Sequence, residues 1–102
     1  MHMSGRILRA TLAENLPTML NVTNTTSGKL LIKNAGNFDL WVGYDQYDVT
    51  LATGVNYFVI DAGVTLVFDQ SQGVGYLSQN AGLWFSSQGG AGEVQIWVAN
   101  QS

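Results

Sequence analysis

Residues 93–99 read EVQIWVA, and their alternation decides the class of fold. In an extended strand successive side chains point to opposite faces. Val94, Ile96 and Val98 therefore share one side, and Glu93, Gln95, Trp97 and Ala99 share the other. The aliphatic side reads as a core face. Trp97 then stands on the side away from the aliphatics, so either both faces are covered or a tryptophan is offered to a partner.

Outward from that run the signal stays β. Short apolar or alternating runs at 29–33, 40–44, 48–51, 57–60, 65–68, 75–77 and 83–86 are separated by Gly, Asn, Asp and Ser, the residues that turn a chain. Lys29 and Lys33 alternate with Leu30 and Ile32. Val64, Leu66 and Phe68 share one face, with Thr65, Val67 and Asp69 on the other. Spacings of about 8–12 residues with no convincing helix predict an all-β protein. The expected architecture is a single antiparallel β-sandwich, jelly-roll-like, of about eight short strands.

The N-terminal part differs in texture. Residues 4–20, SGRILRATLAENLPTML, hold both arginines and the single proline of the chain. Ile7, Leu8, Leu12 and Leu16 could line one face of a short helix that Pro17 ends at Leu16. The same residues could form an extended arm on a neighbouring subunit, or a first strand closing the domain's own sheet. The expected division is an N-terminal arm or short helix over 1–20 and a sandwich domain over 21–102. Met1-His2-Met3 reads as a cloning remnant.

Composition narrows the function. Charged residues are 11% of the 102, well under half the usual ~25%, while hydrophobic residues reach 46%. The core is therefore well supplied and the surface is left to neutral polar groups. A surface so poorly charged is weakly protected against association, which suits a subunit of an assembly. The four cations, Arg6, Arg9, Lys29 and Lys33, all precede residue 34, and the net charge is −3, so a phosphate backbone has nothing to bind. No run approaches the roughly 18 apolar residues of a membrane span. With no cysteine, disulfides and thiolate metal sites are excluded.

Catalytic and metal chemistry find little material. His2 lies in the remnant, so the usual base for a nucleophile is missing. The carboxylates mostly border turns, where Asp is favoured for its local hydrogen bonds. In LWVGYDQYD, residues 40–48, Asp45 and Asp48 could offer oxygens to calcium, with Asp39 beside them. That spacing matches no EF-hand loop, and a strand running into a polar turn explains it. Ser87–Gly92 lacks the strand-to-helix context of a phosphate loop and reads as a hairpin tip. The Asn-x-Thr triplets at 21–23 and 24–26 read as turn residues. Asn34-Ala35-Gly36 and Asn80-Ala81-Gly82 each precede a Leu-Trp strand, with Gly supplying positive φ at the turn. Carbohydrate binding is the chemical alternative: Trp41, Tyr44 and Tyr47 could be ring platforms beside Asp45 and Gln46. No enzyme and no cofactor is expected.

From Val22 to Val98 the pattern resembles small β-sandwich structural proteins of tailed bacteriophages. The matching pieces are Asn34-Ala35-Gly36, Leu40-Trp41-Val42-Gly43, Val49-Thr50-Leu51, Ala62-Gly63-Val64-Thr65-Leu66, Leu83-Trp84-Phe85 and Val94-Gln95-Ile96-Trp97-Val98. The resemblance covers about three quarters of the chain and rests on turn glycines and alternation. It implies a virion component: a capsid decoration or cement protein, or a head or tail accessory subunit, made in the host cytoplasm. Its partners would be the major capsid protein or other virion subunits, and its own copies, often as a trimer. The alternative it leaves is a carbohydrate-binding receptor module of a tail or fibre. The expected interface residues are Arg6, Ile7, Leu8, Arg9, Leu12, Leu16, Trp41, Tyr44, Tyr47 and Trp97.

Overall fold

The computed structural model describes residues 3–22, 28–69 and 82–101, with the backbone alone described at 3–6, 28–29, 68–69 and 99–101. Among the described residues eight strands run in chain order: β1 Met3–Leu12, β2 Thr18–Asn21, β3 Gly28–Asn34, β4 Asp39–Gly43, β5 Tyr57–Ile60, β6 Thr65–Asp69, β7 Gly82–Gln88 and β8 Gly92–Gln101. They form two four-stranded sheets, ordered β1-β8-β3-β6 and β2-β7-β4-β5, with antiparallel pairing throughout. The pairs β1–β8, β2–β7, β3–β6 and β4–β5 are nested, as in a long antiparallel ribbon wound once on itself. This is the jelly-roll sandwich that the alternation predicts.

The core lies between the sheets and follows the period of two. The first sheet contributes Leu12, Leu30, Ile32, Val94, Ile96 and Val98; the second contributes Leu40, Val42, Ile60, Leu83 and Phe85. All are nearly or wholly inaccessible, which places about 1.5–3 kcal/mol of favourable transfer free energy on each large side chain. The register makes this face continuous. Leu8 stands opposite Ile96, Ile96 opposite Ile32, and Ile32 opposite Leu66, an apolar row crossing all four strands.

Residues 3–12 are therefore neither arm nor helix. They pair with β8 at ten consecutive positions, and Leu12 is fully buried in the core. Leu8 and Leu12 are four apart, a spacing that one helical turn and two strand repeats satisfy equally. The paired edge of β8 decides for the strand. The run at 48–51 is also corrected. A 3₁₀ helix, Gln46–Val49, stands there inside the β4–β5 connection, because the Asp45 carboxylate accepts the Tyr47 N–H at 2.9 Å and starts a helical turn. Residues 87–92 are not a hairpin tip, since they carry the chain from the second sheet to the first. The run at 75–77, the triplet at 24–26 and Asn80-Ala81 lie outside the described residues.

The connections at one end of the sandwich are tied by Asn34. Its buried amide donates to the carbonyls of Phe38 (2.7 Å) and Ile60 (2.8 Å) and accepts the Gly36 N–H (3.0 Å). Its backbone bonds Val64 and Gly63. Gly36 is required here for a reason other than positive φ: a Cβ would meet the backbone of Gly92 and Glu93 at 2.9 Å.

Candidate functional site

The two outer faces of the sandwich are unlike. On the second sheet, residues 44–56 fold back over the strands. Gly43 makes room for this, since a Cβ there would meet Asp48 at 2.9 Å and Val49 at 3.3 Å. Val49 is fully buried beneath the segment, and Gln88 Nε2 donates to its carbonyl (3.5 Å) and to the Ser86 hydroxyl (2.7 Å). The Trp41 ring stacks on Tyr57 at 3.9 Å with 13° between planes. Gly54 closes on the same indole, where a Cβ would lie 2.9 Å from Cζ3. The segment thus covers the middle of this sheet, while Met19 on β2 and Val59 on β5 stay exposed at its two edges.

No described segment packs over the outer face of the first sheet. Ile7 on β1 stands opposite Trp97 on β8, Trp97 opposite Leu31 on β3, and Leu31 opposite Val67 on β6. The result is an apolar row crossing the whole sheet, one residue out of phase with the inner row. Ile7 is 70% exposed, Trp97 46% and Val67 57%, with Leu31 half-buried between them. The neighbouring row is polar: Arg9, Gln95, Lys33 and Thr65. Arg9 and Lys33 are exposed on either side of Gln95, whose amide is held by Glu93 (Nε2 to Oε2, 3.1 Å). Between the two rows lies a shallow hollow of about 290 Å³, lined by Ile7, Leu31, Lys33, Thr65, Gln95 and Trp97. An apolar strip with a cationic and amide rim suits docking on another protein surface.

The expected interface residues divide accordingly. Ile7, Arg9 and Trp97 lie on this face. Leu12 is core, and Leu8 packs against the core from the inner face, so both leave the set. Arg6 takes the register position opposite Val98, and its side chain is outside the described residues. Leu16 is exposed in the β1–β2 connection, away from the strip. Trp41 faces outward from the second sheet, while its neighbours Leu40 and Val42 fill the core. Tyr44 and Tyr47 are exposed on the covering segment, at 61% and 62%. Leu31 and Val67 were not among the candidates. Period two places Leu31 with the lysines and Val67 with Thr65 and Asp69, so alternation gives the outward face of each, while their alignment with Trp97 comes from the register alone.

Asp45 is engaged in capping, and among the described residues no three His, Cys, Asp or Glu side chains gather to hold a metal ion. No family model matches the chain, and no curated protein matches it. Among solved structures it is similar to the solution NMR structure of a de novo designed double-stranded β-helix. The TM-score is 0.56 and the identity 14%, over 89% of this chain and 95% of that one. At that identity the likeness concerns the fold alone, and it agrees with the wound ribbon described above.

Proposed function

We propose that this chain is a non-enzymatic structural subunit that docks on a larger assembly through the outer face of its first sheet. Within that class we propose a bacteriophage virion protein, a decoration subunit bound across neighbouring capsid subunits. The observation that carries the docking reading is the row Ile7–Trp97–Leu31–Val67, three of its four members well exposed and all on paired strands. The second sheet differs in that its central Trp41 is packed by Tyr57 and Gly54 of its own chain. The low surface charge and the resemblance of the 34–43, 62–66 and 94–98 segments support the virion assignment.

The test is co-sedimentation with purified virions of the phage whose genome carries the gene, comparing the wild-type chain with Leu31→Lys and Val67→Lys. Both variants keep the inner row intact, so loss of particle binding with unchanged folding supports the reading. A second reading, glycan binding, draws on the exposed Tyr44 and Tyr47 with Gln46 between them. Trp41 is poorly placed for it, because one ring face is taken by Tyr57. Glycan retention lost in Tyr44→Ala and Tyr47→Ala, with Leu31→Lys unaffected, favours that reading.

A further inference from the structure

We infer that β1 pairs edge to edge with β1 of a second copy, antiparallel about Ile7, making a two-fold dimer with one continuous eight-stranded sheet. β1 ends the order of the first sheet, so one side of its backbone pairs with β8 and the other has no strand partner among the described residues. Unpaired N–H and C=O groups along a strand edge are a template for another strand. β1 also lacks several usual protections. It runs ten residues in unbroken register with β8, without a bulge and without proline.

The occupant follows from edge length. The other edge strands are β6 with five residues, and β2 and β5 with four each. Among the described edge strands, a second β1 alone can match β1 over most of its length.

The register follows from parity and charge. Directly opposed residues in an antiparallel pair lie on the same face. For the core faces of both copies to stay on one side, the two residue numbers must therefore sum to an even value. A sum of 12 sets Arg6 against Arg6 of the second copy, like charges directly opposed. A sum of 16 sets Arg9 against Ile7 and breaks the apolar row with a cation. A sum of 14 sets Ile7 against Ile7, Gly5 against Arg9, and Arg6 against Leu8. The row then runs Val67–Leu31–Trp97–Ile7 and continues through the second copy in reverse order, while Gly5 leaves space for each Arg9.

This pairing shares a face with the proposed docking surface but does not rest on it. A monomer that still sediments with virions overturns the pairing alone. A dimer that ignores virions overturns only the docking.

The test uses the full chain, which has no cysteine of its own. Sedimentation equilibrium of the wild type should give twice the chain mass of 11.0 kDa at high concentration. Ile7→Lys should weaken the dimer at least about tenfold, as expected for opposed like charges at the two-fold. Ile7→Cys should oxidise to a disulfide-linked dimer, because opposed Cα atoms lie about 4.5–5.5 Å apart, within disulfide reach. Thr11→Cys, on the same face of the same strand, should not. Its counterpart would be eight residues away, about 27 Å at strand rise. A wild type that stays monomeric to millimolar concentration, or forms a trimer, overturns the inference. So does equal crosslinking of the two cysteine variants.

Discussion

Ile7 and Trp97 are direct partners across β1 and β8, and both point away from the core that their chain neighbours Leu8 and Ile96 fill. One residue of register thus separates a structural row from an exposed one. Energetically the two rows should behave as different materials. Leu12→Ala should cost about 2–5 kcal/mol of unfolding free energy, because a fully buried side chain leaves a cavity. Ile7→Ala should stay within about 0.5 kcal/mol in the monomer. Urea unfolding at low protein concentration reads both; equal losses would contradict the assignment of faces.

Removal of residues 3–12 should abolish the fold and not merely the attachment to a partner. It strips β8 of one of its two neighbours and takes Leu8 and Leu12 from the core. Circular dichroism and a dispersed proton spectrum distinguish the outcomes. A truncated chain that keeps the native spectrum would restore the view of this segment as an arm.

The body of the fold was legible where one period alone fits the residues. Val94, Ile96 and Val98 match a strand and no helix, and the structure buries all three. Residues 7–16 were ambiguous because Leu8 and Leu12 satisfy both periods; only the available edge of β8 resolves them. The run at 48–51 misled because Val49 is buried by tertiary folding of a polar connection, which leaves no local pattern. The site was half legible. Trp97 stood out as a large ring on the wrong side of an aliphatic strand. Leu31 and Val67 are ordinary residues whose importance comes from lying in register with it. Register between strands distant in sequence cannot be read from either strand.

Asn34 should be worth more than its size suggests. Asn34→Ala removes both donors to the Phe38 and Ile60 carbonyls and the acceptor of the Gly36 N–H, leaving part-buried polar groups unpaired. The expected loss is at least about 2 kcal/mol, and Asn34→Asp, which cannot donate to both carbonyls, should not restore it. A midpoint of denaturation unchanged in Asn34→Ala would contradict this role.

The covering segment should be separable from the core. Trp41→Ala removes the stack on Tyr57 and the contact with Gly54, so amides in 44–56 should exchange faster. Global stability should fall less than in Phe85→Ala, where a fully buried ring costs about 3–5 kcal/mol. Hydrogen exchange by mass spectrometry reads the local effect. Equal protection of 44–56 in wild type and variant would show that Trp41 does not hold the segment.

The outer row of the first sheet is proposed to dock this subunit on a larger particle. Co-sedimentation of wild type and Leu31→Lys with purified virions tests it most directly, because Leu31 lies mid-row on a central strand, clear of the β1 edge. Leu31→Lys should bind at least about tenfold more weakly, with an unchanged fold, as a buried lysine in an apolar interface requires. Undiminished binding of Leu31→Lys would contradict it.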